Sequence, residues 1–174
     1  MGYQGSWSGM RRWLEWEMTA EALRGRVRYQ CTRFVGMDND HLYEVFVDGN
    51  MVKRFSFETV RDWLKQNEKL TEPSTQGIAG YWNGFWDALD STPMDRRNEY
   101  TDREFADALG IYRQQDIGSS LRSDNPIVRM FAVLDRRAGK RTLEKLKDKI
   151  DDQPEWLRFF YELRLRAEGK TDQL

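Results

Sequence analysis

Hydrophobic residues in this chain of 174 residues follow a helical spacing first, then a strand spacing. Apolar residues three and four positions apart predict a helix over 8–24. Over 26–55 the period changes to two, and Asp-Gly at 48–49 supplies the positive φ angles of a tight hairpin turn, which predicts a three-stranded antiparallel meander. Ser56 can cap a further helix over 57–66.

The rest of the chain has helical spacing only. The polar segment 67–77 contains Pro and Gly and predicts a linker. The fold class is therefore α+β: a helix, the meander and a helix in a domain over 1–66, then a C-terminal helical bundle in a domain over 78–170. The helix at 78–90 has four aromatic residues on more than one face, which favours burial between the two parts.

Composition and charge exclude several classes of function. The chain has 28 Lys and Arg against 29 Asp and Glu, a net charge of −1 that argues against strong capture of nucleic acid or anionic membranes. A single cysteine and a single histidine exclude the cysteine- and histidine-rich zinc patterns, and we expect no cofactor. No apolar run has the length of a membrane span and no signal peptide is apparent, so we expect a cytoplasmic protein that does not bind membranes.

The most basic stretch contains Gly139-Lys140. A phosphate-binding loop needs a glycine where Leu134 stands and a Ser or Thr directly after the lysine, where Arg141 stands. We therefore interpret Gly139 as the C-cap of one helix and Thr142 as the N-cap of the next.

The same stretch remains a candidate anion or nucleic-acid contact, because its cations lie beside a helix N-terminus. The alternative is a solvated helix face with internal ion pairs, in which Arg136 or Arg137 pairs with Asp135. The candidate contact residues are Arg136, Arg137, Lys140 and Arg141.

The element order over 8–66 is similar in topology to a double-stranded-RNA-binding domain. "GMDNDHLYEVFVDG" resembles the second and third strands of that family, with His41 at a contact-type position. This resemblance implies RNA binding with His41 as a candidate contact. The lysine run at the start of that family's second helix is replaced here by Ser-Phe-Glu-Thr at 56–59, and Glu58 would repel phosphate.

Longer stretches carry a second resemblance. "SWSGMRRWLE" and "RVRYQCTRFVGMD" resemble the start of a family of small uncharacterised bacterial proteins, and "NPIVRMFAVLDRRAGKRTL" and "QPEWLRFFYELRLRAEG" resemble its C-terminal end. The resemblance implies a bacterial cytosolic protein and transfers no catalytic residue.

Three hypotheses for function follow. The first is a non-enzymatic interaction or structural module with a protein partner, such as a second copy in a homodimer. The second is a nucleic-acid-binding protein that uses the basic stretch or the meander around His41. The third is an enzyme with carboxylate acid–base chemistry. The sequence identifies no catalytic, cofactor-binding or metal-ligating residue.

Overall fold

The structure is a computed structural model that describes residues 2, 4–34, 41–70 and 77–170. Most of the predicted linker, 71–76, lies outside the described residues. In chain order the described elements are α1 (Trp7–Arg12), a π-helical turn (Trp13–Met18), a 3-10 turn (Glu21–Leu23), β1 (Val27–Arg33), β2 (His41–Val47), β3 (Asn50–Phe55), α2 (Phe57–Gln66), α3 (Gly77–Ser91), a 3-10 turn (Met94–Arg96), α4 (Asp102–Gln114), α5 (Ile117–Leu121), α6 (Pro126–Leu134), α7 (Lys140–Lys147) and α8 (Glu155–Ala167). This arrangement confirms the predicted α+β class.

The first helix does not run unbroken over 8–24 as the spacing predicts. It widens into the π-helical turn after Arg12, where the Thr19 amide donates to the Leu14 carbonyl oxygen at 3.0 Å, five residues earlier. The chain then leaves the helix because its backbone pairs with a distant segment. The Ala20 amide donates to the Leu134 carbonyl oxygen at 2.8 Å, and the Arg136 amide donates to that of Met18 at 2.7 Å.

The three strands form an antiparallel sheet in the order β1-β2-β3. The hairpin between β2 and β3 turns at Asp48 and Gly49, whose φ angles are 51° and 82°, as the Asp-Gly pair predicts. The outer edge of β1 is covered at one point, where the buried Glu15 carboxylate accepts a hydrogen bond from the Tyr29 amide at 2.8 Å. The π-helical turn therefore caps an otherwise open sheet edge.

One hydrophobic core joins the sheet to the C-terminal helices. Tyr43 of β2 stacks on Phe105 of α4 with ring centroids 4.4 Å apart, and Phe105 lies 5.4 Å from Phe131 of α6. Residues from both predicted parts thus lie in a single cluster, with α4 between the sheet and α6. The division into domains over 1–66 and 78–170 stays a prediction.

A second, smaller cluster is formed by α2 and α3. Val60 and Leu64 of α2 pack with Phe85 and Leu89 of α3. The expectation that the helix at 78–90 is buried between the two parts is wrong, because α3 is buried on one side only and packs mainly on α2. Part of its aromatic surface therefore remains exposed.

Candidate functional site: an exposed aromatic face on α3

Three large apolar side chains on α3 are exposed. Ile78 is 77% exposed, Trp82 39% and Trp86 37%. Because they are four residues apart, they follow one another along one side of the helix. We call Ile78, Trp82 and Trp86 the α3 face. Aromatic residues of this size normally bury most of their area, so an exposed row of them marks a candidate interaction surface.

The two indoles of the α3 face are supported from beneath. The ring centroid of Phe57, at the start of α2, lies 4.3 Å from that of Phe85, 5.0 Å from that of Trp82 and 6.5 Å from that of Trp86. Phe85 itself is fully buried. Each indole therefore has one side against a packed ring and one side in solvent, and the face is held in place before any partner arrives.

The charges around the α3 face are unevenly distributed. Asp87 and Asp90 are exposed at the C-terminal end of α3, and the helix contains no Lys or Arg. The Arg103 guanidinium of α4 lies 5.7 Å from the Trp86 ring, within the range of a cation–π contact. A cleft of about 390 Å³ opens beside Trp86, between the end of α3 and the start of α4. The acidic end of the face is thus also its concave end.

The segment between α6 and α7 carries the basic candidates, and it is built around a buried carboxylate. Asp135 is 1% exposed and accepts hydrogen bonds from the Tyr112 hydroxyl at 2.5 Å and from Arg137 Nη2 at 2.6 Å. The Arg137 amide also donates to Asp135 Oδ1, at 2.7 Å. Burial, followed by the nearby Asp135 charge, raises the pKa of Tyr112. Arg137 is therefore an internal ion-pair partner, as in the alternative weighed above.

Arg164 of α8 completes this network from the other side. It is 2% exposed and donates to the carbonyl oxygens of Val133, Asp135 and Ala138 at 3.0, 2.7 and 3.0 Å. These bonds satisfy carbonyl groups that the end of α6 leaves without helical partners. Burial lowers the pKa of Arg164, and Glu168, which accepts from its Nε at 3.0 Å, partly offsets that effect.

The interpretation of Gly139 as a C-cap and Thr142 as an N-cap is wrong. Helix α6 ends at Leu134, and Gly139 is the N-cap of α7, with Thr142 inside that helix. The physical reason is that Asp135 leaves the helical conformation to accept from Tyr112 and Arg137, which ends α6 four residues before the glycine.

The other three basic candidates are exposed. Arg136 precedes the paired Arg137, while Lys140 and Arg141 open α7. Within the described part of the chain, the side chains of Arg136, Lys140 and Arg141 have no hydrogen bond or ion pair. The structure brings these three together in one segment and leaves them available to an external anion.

His41 lies apart from that segment in its contacts. It begins β2, where its ring stacks on Tyr43 with centroids 6.0 Å apart. Its backbone amide donates to Asp102 Oδ2 at 3.1 Å, at the start of α4. These contacts connect His41 to the sheet and α4.

The family comparison places the whole arrangement in one family. The model of the SF0329 protein family matches residues 6–165. The chain belongs to this family. The match confirms the resemblance to an uncharacterised family, and it spans both the α3 face and the segment between α6 and α7. No curated protein and no solved structure matches the chain.

Two further searches of this SF0329 family member concern metals and membranes. Over 4–34, 41–70 and 77–170, no group of three or more His, Cys, Asp and Glu side chains is placed to hold a metal ion. Over the same residues, no helix is both long enough and apolar enough to span a membrane.

Proposed function

We propose that this protein is a non-enzymatic interaction module that associates with a second copy of itself through the α3 face. The observation that carries the proposal is the row of exposed Ile78, Trp82 and Trp86 on a supported helix. Covering such a row removes apolar area from water, which contributes roughly 25 cal/mol per Å². A cytoplasmic, bacterial setting belongs to the same proposal.

The spacing of the α3 face suits a two-fold symmetric contact. Ile78 and Trp86 lie four residues on either side of Trp82. In a two-fold contact each residue of one copy meets its counterpart on the other reciprocally. If the axis passes near Trp82 and the helices run antiparallel, Ile78 meets the partner's Trp86 and Trp82 meets the partner's Trp82.

Charge favours the antiparallel arrangement over a parallel one. Asp87 and Asp90 stand at one end of α3, and the first turn has no acidic residue. Antiparallel pairing places these carboxylates beside the positive N-terminal end of the partner's helix, which stabilises them. Parallel pairing would bring Asp87 against the partner's Asp87, a repulsive contact.

The size of the face predicts a weak dimer. A stable dimer buries roughly 800 Å² on each partner, and three side chains on one helix supply only part of that area. We therefore expect a concentration-dependent equilibrium between monomer and dimer.

Sedimentation equilibrium over a range of protein concentrations tests the proposal. We expect the mass to rise from one chain towards two, and Trp82→Ser to weaken the association by about tenfold or more. Phe159→Ser is the matched control, because Phe159 of α8 is 41% exposed and lies outside the α3 face. A protein that stays monomeric at every concentration, or a control that weakens association as much as Trp82→Ser, would contradict the proposal.

A second candidate function is nucleic-acid binding, which the exposed and unpaired Arg136, Lys140 and Arg141 of the described structure favour. Binding would show in the fluorescence anisotropy of labelled double-stranded RNA and DNA at low and moderate salt. Replacing all three cations with alanine should weaken binding and reduce its salt dependence by about one counterion per lost phosphate contact.

The matched control removes three cations elsewhere, Arg11, Arg12 and Arg166. Equal loss in both triple variants would indicate a net-charge effect and contradict a site on the segment before α7. Binding that is lost only in His41→Ala would point to the meander. No binding at low salt would contradict nucleic-acid binding altogether.

A further inference from the structure

A second cleft, of about 970 Å³, lies away from the α3 face proposed as the dimer contact. Its walls are three connections: the 3-10 turn before α4, the segment between α5 and α6, and the segment between α7 and α8. Two arginines reach it from helices, Arg129 of α6 and Arg158 of α8. Both are half-buried.

Arg129 is fixed by neutral acceptors. Its Nε donates to Gln153 Oε1 at 3.0 Å, and its Nη1 donates to the Ser123 carbonyl oxygen at 2.6 Å. These two bonds come from opposite walls of the cleft, one from the segment after α7 and one from the segment before α6. The guanidinium is thus oriented without a carboxylate.

Arg158 is fixed in the same way by the same segment. Its Nε donates to the Gln153 carbonyl oxygen at 2.9 Å, and its Nη2 donates to the Asp151 carbonyl oxygen at 3.0 Å. Gln153 therefore accepts from both arginines, through its side chain to Arg129 and through its backbone to Arg158, and this places the two guanidinium groups next to each other. A guanidinium has five N–H donors, so donors remain for a ligand on Arg158.

Neither arginine has a carboxylate partner among the residues that the structure describes. Two neighbouring, half-buried positive charges repel each other, and the repulsion is relieved when an anion binds both. Aspartates also line this cleft, and all of them are exposed to solvent, which screens their charge. These carboxylates are Asp95, Asp124, Asp151 and Asp152.

We propose that this cleft binds an oxyanion, the phosphate or carboxylate group of a ligand, through Arg129 and Arg158. Guanidinium groups recognise both oxyanions with paired, charge-assisted hydrogen bonds. Because the arginines are already held by Gln153, Ser123 and Asp151, binding would order few further side chains. The site is independent of the α3 face, so either proposal can fail without the other.

The test is an NMR titration of the full-length protein labelled with 15N-arginine. The Nε–Hε signals of Arg129 and Arg158 are followed while inorganic phosphate, acetate or chloride is added at matched ionic strength. We expect saturable shifts of both signals with phosphate or acetate at concentrations of about 1–10 mM, since an exposed two-arginine site supports only weak binding. Saturation by phosphate alone would identify a phosphate ligand, and saturation by acetate would identify a carboxylate ligand.

Variants on α8 provide the control. Arg158→Gln should weaken the affinity by about tenfold or more, whereas Arg166→Gln should leave it within about twofold because Arg166 is exposed, pairs with Glu162 and does not line the cleft. Far-UV circular dichroism establishes that each variant is folded, and the titration of the unaltered protein stands without them. Shifts that do not saturate or that chloride reproduces, or an affinity that Arg158→Gln leaves unchanged, would overturn the proposal.

Discussion

Replacing Asp135 with alanine should be among the most destabilising single substitutions in this chain. The Asp135 carboxylate is 1% exposed and accepts from the Tyr112 hydroxyl and from the Arg137 amide and guanidinium. These bonds connect α4 to the segment between α6 and α7. Alanine removes every one of these side-chain acceptors and leaves their donors behind.

The expected loss of unfolding free energy is about 3–5 kcal/mol, the range for breaking a buried charge pair from one side. The Tyr112 hydroxyl is buried, so leaving it without an acceptor costs about 1–3 kcal/mol. Loss of the bond from the Arg137 amide costs about 0.5–1.5 kcal/mol. The Arg137 side chain is 38% exposed and can turn towards water, so its lost ion pair adds only about 1 kcal/mol.

Urea unfolding followed by tryptophan fluorescence measures this loss. Asp135→Asn keeps one oxygen acceptor and should cost less than Asp135→Ala. Tyr112→Phe removes the hydroxyl and should cost about 1–2 kcal/mol. In the double-mutant cycle of Tyr112→Phe with Asp135→Ala, the second substitution should cost less when the first is present. A loss below about 1 kcal/mol for Asp135→Ala, or strictly additive effects in the cycle, would refute the reasoning.

Two further predictions concern the edge of β1 and alkaline stability. Glu15→Ala leaves the buried Tyr29 amide without its acceptor, which should cost about 1–3 kcal/mol and speed hydrogen exchange of that amide; Glu15→Gln keeps an acceptor and should show little change, and equal exchange in both variants would contradict the role of Glu15. Burial raises the pKa of Tyr161 to about 12, whereas an unfolded tyrosine ionises near pH 10. Stability should therefore be constant below about pH 10 and fall as the pH rises from 10 to 12, in urea midpoints measured against pH; an unchanged midpoint across that range would contradict it. Burial raises the pKa values of three other tyrosines in the same direction, Tyr29, Tyr100 and Tyr112.

Local features of this fold could be predicted from neighbouring residues. The Asp-Gly turn requires two positive φ angles, and Asp48 and Gly49 supply them. Thr101 and Glu104 form the reciprocal capping box at the start of α4, three residues apart. The alternation of β1 and β2 follows from one face packing on α4. In each of these cases the residues that determine the geometry lie close together in sequence.

Features that depend on distant residues could not be predicted. Asp135 ends α6 because it bonds with Tyr112, 23 residues earlier, and its carbonyl accepts from Arg164, 29 residues later. Gly139 fits either a C-cap or an N-cap until that ending is known. The aromatic pattern of α3 indicates burial, yet spacing does not reveal whether this chain or another molecule covers each side. The α3 face is therefore visible only in the folded structure.

The most direct test of the proposed function is an isotope-filtered NOE experiment on a mixture of two preparations, one with 13C-labelled isoleucine methyl groups and one unlabelled. Ile78 and Trp86 lie eight residues apart on α3, roughly 12 Å along a helix, so an NOE between the Ile78 methyl and the Trp86 ring must come from two different molecules. Antiparallel association through the α3 face predicts this NOE at concentrations where the mass exceeds one chain. Its absence at those concentrations, or intermolecular NOEs that involve only other surfaces, would contradict the account.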